Sequence, residues 1–294
     1  MYEIHTFYSI SKNEYIKRKV FEFRDKQVAA TSYGWLLLID YSKDPLECFL
    51  VNTTSKERIE LPSIEFDTDS CIYYKCVLSK PPTDPNCYVL LIPCWTDDLL
   101  FCRVGEKKFI KRSKQFGDDY FAASTNFKGK VYAWMSYSGN LVEVDFVGQN
   151  LLLNQMVNNK GQAYQIPVRS TSYRFDNQDY LVESCDELLL VHMIVYPHSG
   201  QPAYFKIFKI KVCERESEEL RSIGDRTIFL SSLGCMSTLC AGNSGVKKNS
   251  IYYTMIHENR NVYVYDIKDR SKILIKPCDT KGTDMPPLRS WIML

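Results

Sequence analysis

Apolar residues along this chain come in short runs of about four to eight, separated by polar turns, with no sustained helical period. Residues 28 to 61 show the pattern. Val28-Ala29-Ala30-Thr31 leads into Tyr33-Gly34, a turn signal. Trp35-Leu36-Leu37-Leu38-Ile39-Asp40 is a continuous apolar run, as expected of a strand covered on both faces. Ser42-Lys43-Asp44-Pro45 interrupts, Cys48-Phe49-Leu50-Val51 follows, and Arg58-Ile59-Glu60-Leu61 alternates like an edge strand that Pro62 should stop.

This four-strand unit recurs. Ile72 to Leu78, Cys87 to Cys94, Leu99 to Val104 and Lys108 to Lys111 make a second unit. Tyr120 to Thr125, Lys130 to Met135, Leu141 to Phe146 and Leu151 to Gln155 make a third. A fourth runs through Arg169 to Phe175, Tyr180 to Ser184, Leu188 to Tyr196 and Tyr204 to Val212. The charged run Glu214 to Glu219 after it reads as a solvated loop or a short helix, with the loop favoured between strands. Thr227 to Leu230, Met236 to Leu239, Ser250 to Met255, Asn261 to Ile267 and Lys272 to Ile275 complete the series. Four-stranded units at a period of roughly 45 to 55 residues point to an all-β propeller, and about twenty strands exceed what one sandwich holds. Five units are visible. Strands at 4–10 and 15–22 would complete a ring with the C-terminus, so six blades are expected, with five to seven open, in one domain over residues 1–294.

The 294 residues are 45% hydrophobic and rich in Tyr and Phe, enough for a large β core. With 37 basic and 35 acidic residues, the net charge of +2 argues against nucleic acid, which normally calls for a basic excess. The densest basic stretch, residues 107–114, reads as a solvated edge, since lysines on an edge strand discourage further pairing. No run approaches the roughly 20 apolar residues of a membrane span. The 11 scattered cysteines follow no secretory leader, which points to free thiols in the cytoplasm and/or nucleus.

Catalytic motifs are not apparent. There is no Gly-rich phosphate loop and no Gly-x-Ser-x-Gly elbow. Histidine is scarce, and His192 sits in an apolar strand where packing is the natural role. Cys235, Cys240 and His257 come nearest to a zinc set but lack a fourth ligand. Asp67-x-Asp69 opens like a calcium loop, without the Gly and Glu that should follow. Asp97-Asp98 and Asp118-Asp119 read as turn residues that accept backbone amide hydrogens. The expectation is therefore no enzyme, no cofactor and no metal.

Residues 219–255 carry a resemblance. Ile223-Gly224-Asp225-Arg226-Thr227-Ile228-Phe229-Leu230, followed by Cys235-Met236-Ser237 and Asn249-Ser250-Ile251-Tyr252-Tyr253, is similar to the C-terminal signature of a plant F-box-associated β-propeller family, the kinase-inhibiting-type propellers. Thr31-Ser32-Tyr33-Gly34-Trp35-Leu36-Leu37 and Pro286-Pro287-Leu288-Arg289-Ser290-Trp291-Ile292 resemble its first-blade and terminal motifs. The resemblance implies a protein-recognition module that selects targets for a ubiquitin ligase or binds a kinase. The family's usual N-terminal F-box segment is not in this sequence, so the chain alone is not expected to bind the ligase adaptor. An enzyme-like or glycan-binding propeller with a site in the central channel is the alternative.

Gly34, Trp35, Gly224, Asp225, Arg226, Asn249 and Tyr252 are expected to serve packing, with Gly34 and Gly224 at positive φ and Asp225 and Arg226 bonded to a neighbouring blade. The partner is expected on one face of a monomeric ring, on inter-strand loops such as Pro81 to Asn86, Trp95 to Asp98 and Pro197 to Pro202. Trp95, Asp97, Asp98 and His198 are the candidate contacts, with Trp95 as anchor or, equally, as a blade-edge cap. No membrane or nucleic-acid partner is expected.

Overall fold

The computed structural model describes residues 4–20, 23, 26–52, 54–65, 74–93, 98–113, 119–158, 160–164, 166, 178–195, 202–231, 234–240, 245–254 and 261–275. Strands β1 (Ile4–Ser9) and β2 (Glu14–Lys19) form an antiparallel hairpin. Blade 1 is β3 (Gln27–Ser32), β4 (Trp35–Asp40), β5 (Leu46–Asn52) and β6 (Arg58–Ile64). Blade 2 is β7 (Tyr74–Leu78), β8 (Tyr88–Pro93), β9 (Asp98–Arg103) and β10 (Ile110–Ser113). Blade 3 is β11 (Phe121–Phe127), β12 (Lys130–Met135), β13 (Leu141–Val147) and β14 (Asn150–Gln155). Blade 4 is β15 (Gln178–Ser184), β16 (Glu187–Val195), β17 (Pro202–Lys211) and β18 (Glu216–Leu220).

Blade 5 has five strands in the spatial order β20 (Gly234–Leu239), β19 (Arg226–Ser231), β21 (Ser250–Tyr253), β22 (Val262–Asp266) and β23 (Lys272–Ile275). Here β20 folds back to the inner edge, so β19 and β21 lie parallel. The innermost strands meet in a circle: β3 against β7, β7 against β11, β11 against β15, β15 against β20, and β20 against β3. The chain is thus an all-β propeller with five blades among the described residues.

Burial explains the apolar runs. The second strand of a blade has a strand on each side and a neighbouring blade on each face. Accordingly every residue of β4 is buried, as are Val131–Met135 of β12. Separate cores fill the seams. Trp35, Leu37 and Leu50 of blade 1 pack with Leu78, Val89 and Leu91 of blade 2. Corresponding clusters join blades 2 and 3, 3 and 4, and 4 and 5.

The seam between blades 5 and 1 is built differently. Among the described residues, the strands expected to complete a sixth blade pair only with each other, as β1 and β2, and the hairpin bridges this seam. Phe7 and Val20 pack against Leu36, Leu38, Phe49 and Val51 of blade 1. Ile10, at the hairpin turn, packs against Phe229, Tyr252 and Val264 of blade 5. Gly245 meets that turn so closely that a Cβ there would lie 2.7 Å from Ser11 Cα.

Two local expectations are corrected. Residues 216–220 form β18, an outer strand, where the run Glu214 to Glu219 was expected to be a loop or a short helix. Glu216, Glu218 and Glu219 are exposed, and Lys211 bridges to Glu214 at 3.6 Å and to Glu218 at 3.5 Å. An outermost strand wet on both faces can be charged, and charge protects an open edge. Pro62 does not stop β6, which continues to Ile64. The strand is an outer one that needs no further N–H, and its partner β5 is irregular opposite, between Leu46 and Cys48. Arg169 to Phe175, the expected first strand of blade 4, lies outside the described residues.

Candidate functional site

Antiparallel strands sort the turns onto two faces. Turns joining the first and second strands of blades 1 to 4 emerge on one side, here face 1. Turns joining the second and third strands emerge on the other, face 2, with the crossings to the next blade. On face 1, Tyr33-Gly34, Lys128-Gly129 and Cys185-Asp186 each close a two-residue hairpin with both φ values positive, between 51° and 77°. That geometry matches the twist of the flanking strands. Pro81 to Asn86 joins β7 to β8 and so also belongs to face 1. Pro93, Asp98, Val195 and Pro202 end or begin strands on face 2. Pro81 to Asn86 therefore lies on the face opposite these strand ends, while residues 94–97 and 196–201 of the other two expected loops lie outside the described residues.

The family-like signature lies at the face 1 end of blade 5. Gly224 has φ +66° and Gly34 +75°. Arg226 Nη1 donates to Glu187 Oε2 of blade 4 at 2.7 Å, and its Nε donates to the Ile223 carbonyl at 2.8 Å. Asp225 faces solvent and pairs with Lys248 of its own blade at 3.1 Å, so it does not reach the neighbouring blade. Asn249, at φ +52°, accepts from Ser222 Oγ and the Ile223 amide, both at 2.9 Å. Tyr252 stacks on Phe229 with centroids 5.2 Å apart, and its hydroxyl accepts from the Lys247 amide at 3.0 Å. Trp35 is buried in the seam between blades 1 and 2.

Of the proposed contacts, Asp98 begins β9 and pairs with Lys111 at 2.7 Å. Trp95, Asp97 and His198 lie outside the described residues, as does His257 of the Cys235, Cys240, His257 set. Among the described residues no group of His, Cys, Asp and Glu could hold a metal. The described cysteines are free. Burial raises the Cys48 and Cys235 thiols to about 12, and raises Cys76 as well, so these sulfurs stay protonated and inert.

The central channel encloses about 70 Å³, lined by residues such as Ser32, Lys75, Cys76, Asp179 and Cys235. Small-molecule sites usually offer about 300–1,000 Å³. Its two charged groups, Lys75 and Asp179, are spent on structure. Lys75 Nζ donates to the Ala122 carbonyl at 2.7 Å. Asp179 accepts from Trp134 Nε1 at 3.0 Å and bonds His192 Nδ1 across the β15–β16 pair. His192 is therefore a packed residue held by Asp179; its Nε2 has no partner among the described residues. A more open polar groove of about 610 Å³ lies on the rim between Tyr164 and Arg215 with the start of β18.

Face 2 carries a feature that sequence reasoning missed. Tyr120 precedes β11 and Tyr137 follows β12, and their side chains are 44% and 74% exposed. Their rings meet edge to face, with centroids 5.6 Å apart and planes at 90°. Beneath them Asp119 is buried. Its Oδ1 accepts from the amides of Tyr120 at 3.0 Å and Tyr137 at 2.8 Å, and its Oδ2 from that of Ser138 at 3.1 Å. The Ser136 amide also donates to the Tyr120 carbonyl at 3.0 Å. Gly139 turns over the Trp134 indole, whose N–H is bonded to Asp179. Two exposed rings thus stand on backbone fixed by a buried carboxylate. The available signal was Asp119 read as an amide acceptor. Its acceptance across 18 residues, from Tyr137, is tertiary.

A family model of the KIB1-4 β-propeller matches residues 7–266. Among curated relatives, the chain is 30% identical over 105 residues to a putative F-box protein of Arabidopsis thaliana, covering 34% of this chain and 29% of that protein. It is 23% identical over 287 residues to the Arabidopsis thaliana F-box protein KIB4, covering 86% of this chain and 69% of KIB4. A third Arabidopsis thaliana F-box protein is 31% identical over 96 residues, 26% of its length. The chain thus spans less than a third of the first and third relatives.

Proposed function

The chain belongs to the KIB1-4 β-propeller family, and on that premise we propose that it recognises a protein partner through face 2 and catalyses nothing. One observation supports this most. Among the described residues, Tyr120 and Tyr137 form an exposed aromatic pair on a rigid support, while the channel, at about 70 Å³, is small for a metabolite or sugar. Loops on a stiff scaffold are where recognition concentrates.

The relatives are named as F-box proteins. The finer reading is that the partner is a ubiquitin-ligase target, or a kinase held by binding. On this reading the ring works as a monomer in the cytoplasm or nucleus, with neither nucleic acid nor membrane as partner.

Affinity capture from a plant extract tests it, using residues 1–294 and two variants. One carries Tyr120→Ala with Tyr137→Ala on face 2, the other Tyr33→Ala with Asp225→Ala on face 1. A partner retained by the wild type and the face 1 variant but lost from the face 2 variant is expected. Equal retention by both variants, or loss only from the face 1 variant, would overturn the proposal.

A further inference from the structure

We infer that Tyr120 and Tyr137 form the seat for a cationic side chain, arginine or lysine, presented by the partner protein. This deepens the recognition reading and rests on it. Perpendicular aromatic rings make a corner in which a cation meets the negative face of one ring, or of both. Both rings are exposed, and neither hydroxyl makes a hydrogen bond among the described residues.

Charge points the same way. The carboxylate of Asp119, next to Tyr120 in the chain, is bonded by the backbone N–H groups of Tyr120, Tyr137 and Ser138, and no basic side chain among the described residues pairs with it. Among the described residues its negative charge is met by backbone dipoles, which leaves a favourable potential for a cation nearby. The described cation–π contacts are elsewhere, with Lys26 and Arg58 on Phe49 and Lys128 on Phe127. An apolar partner residue would gain area on the rings but nothing from the carboxylate. An acidic one would be repelled.

The seat is also pre-formed. Asp119 holds the amides of Tyr120, Tyr137 and Ser138, so both backbones are fixed before a ligand arrives. Little ordering cost then falls on binding, which is the general advantage of rigid aromatic anchors.

The test needs no partner protein. Acetyl-arginine amide is titrated into residues 1–294 carrying labelled tyrosines, with acetyl-citrulline amide as the uncharged isostere. The ring signals of Tyr120 and Tyr137 are followed by NMR. The arginine amide should move both, and the citrulline amide neither. Tyr137→Phe keeps the ring and should bind like the wild type. Tyr137→Ala should weaken the probe by about two- to fivefold, as expected for one exposed cation–π contact. Equal shifts with citrulline amide, or full binding by Tyr137→Ala, would overturn the inference. Because the probe is a small molecule, a cation seat can fail here while partner capture succeeds, and the reverse.

Discussion

Arg226 and Glu187 tie the last two blades together: the guanidinium at the start of β19 meets the carboxylate at the start of β16 at 2.7 Å. The same arginine donates to the carbonyls of Ile223 and Ser184, and the same glutamate takes Lys209. The signature arginine is thus a blade-to-blade fastener. Replacing it with alanine removes several part-buried, charge-assisted bonds. Arg226→Ala should lower stability by about 1.5–3 kcal/mol and reduce the melting temperature, read by circular dichroism. Capture of the partner by the folded fraction should be unchanged.

The pair also predicts a pH dependence. Burial alone would raise the Glu187 carboxyl, but hydrogen bonds from Lys209 and Arg226 outweigh it and hold the carboxyl below the usual glutamate range. A depressed folded value means the contribution is present above the unfolded pKa of about 4.3 and is lost as pH falls through the folded value. The melting-temperature gap between the wild type and Glu187→Gln should therefore be full at pH 6 and close below roughly pH 4. A gap constant from pH 6 to pH 3 would refute this.

Gly245 and Gly34 should respond differently to the same change. Both have positive φ, so alanine strains either by about 1–2 kcal/mol. Only at Gly245 would the new Cβ strike backbone, at 2.7 and 2.8 Å from Ser11 Cα and O. At Gly34 nothing lies within 4 Å. Hydrogen exchange should show the β1–β2 amides losing protection in Gly245→Ala and keeping it in Gly34→Ala. Equal protection would mean that the hairpin is not docked through this contact.

Trp134 and Trp35 form a second contrast. Both are buried, but only the Trp134 indole bonds a carboxylate, that of Asp179. Trp134→Phe loses packing and a hydrogen bond to a charged group, for a loss of about 2–4 kcal/mol. Trp35→Phe should lose about 1–2 kcal/mol from packing alone. Urea denaturation gives both values, and a reversed order would refute the role given to the Trp134–Asp179 bond.

Thiol reactivity should follow burial. Cys185 and Cys213 are exposed, whereas Cys48, Cys87 and Cys102 are buried with raised pKa values. Brief alkylation of native protein followed by peptide mapping should mark Cys185 and Cys213 well before those three. After denaturation all 11 should react. Rapid labelling of Cys48 in native protein would contradict the packing of the first seam.

Strand periodicity and turn chemistry were legible without a structure. The all-buried run Trp35–Asp40 and the strand Lys130–Met135 stand in the fold with the limits read from the sequence. Local chemistry suffices there, because a strand enclosed on every side can contain little but apolar residues, and Tyr33-Gly34 can close only a tight turn. Edges were harder. Residues 216–220 read as loop because an outer strand in water has no apolar pattern to show, only cross-strand charge pairing that becomes visible once Lys211 is placed beside Glu218.

What remained to tertiary structure was everything that depends on which segments become neighbours. The sequence by itself determined the all-β class, the blade repeat, the positive φ of Gly34 and Gly224, and Asp119 as an acceptor of backbone amides, since each depends on residues close in the chain. Only the tertiary structure decided that the ring closes after five described blades, with β20 turned inward and a two-stranded hairpin over the last seam. Only it set Pro81 to Asn86 on the face opposite Asp98, and Tyr120 against Tyr137 with one carboxylate holding both backbone amides. These arrangements follow from packing between segments far apart in sequence, and local preference is blind to the partner that a strand edge or an exposed ring will find.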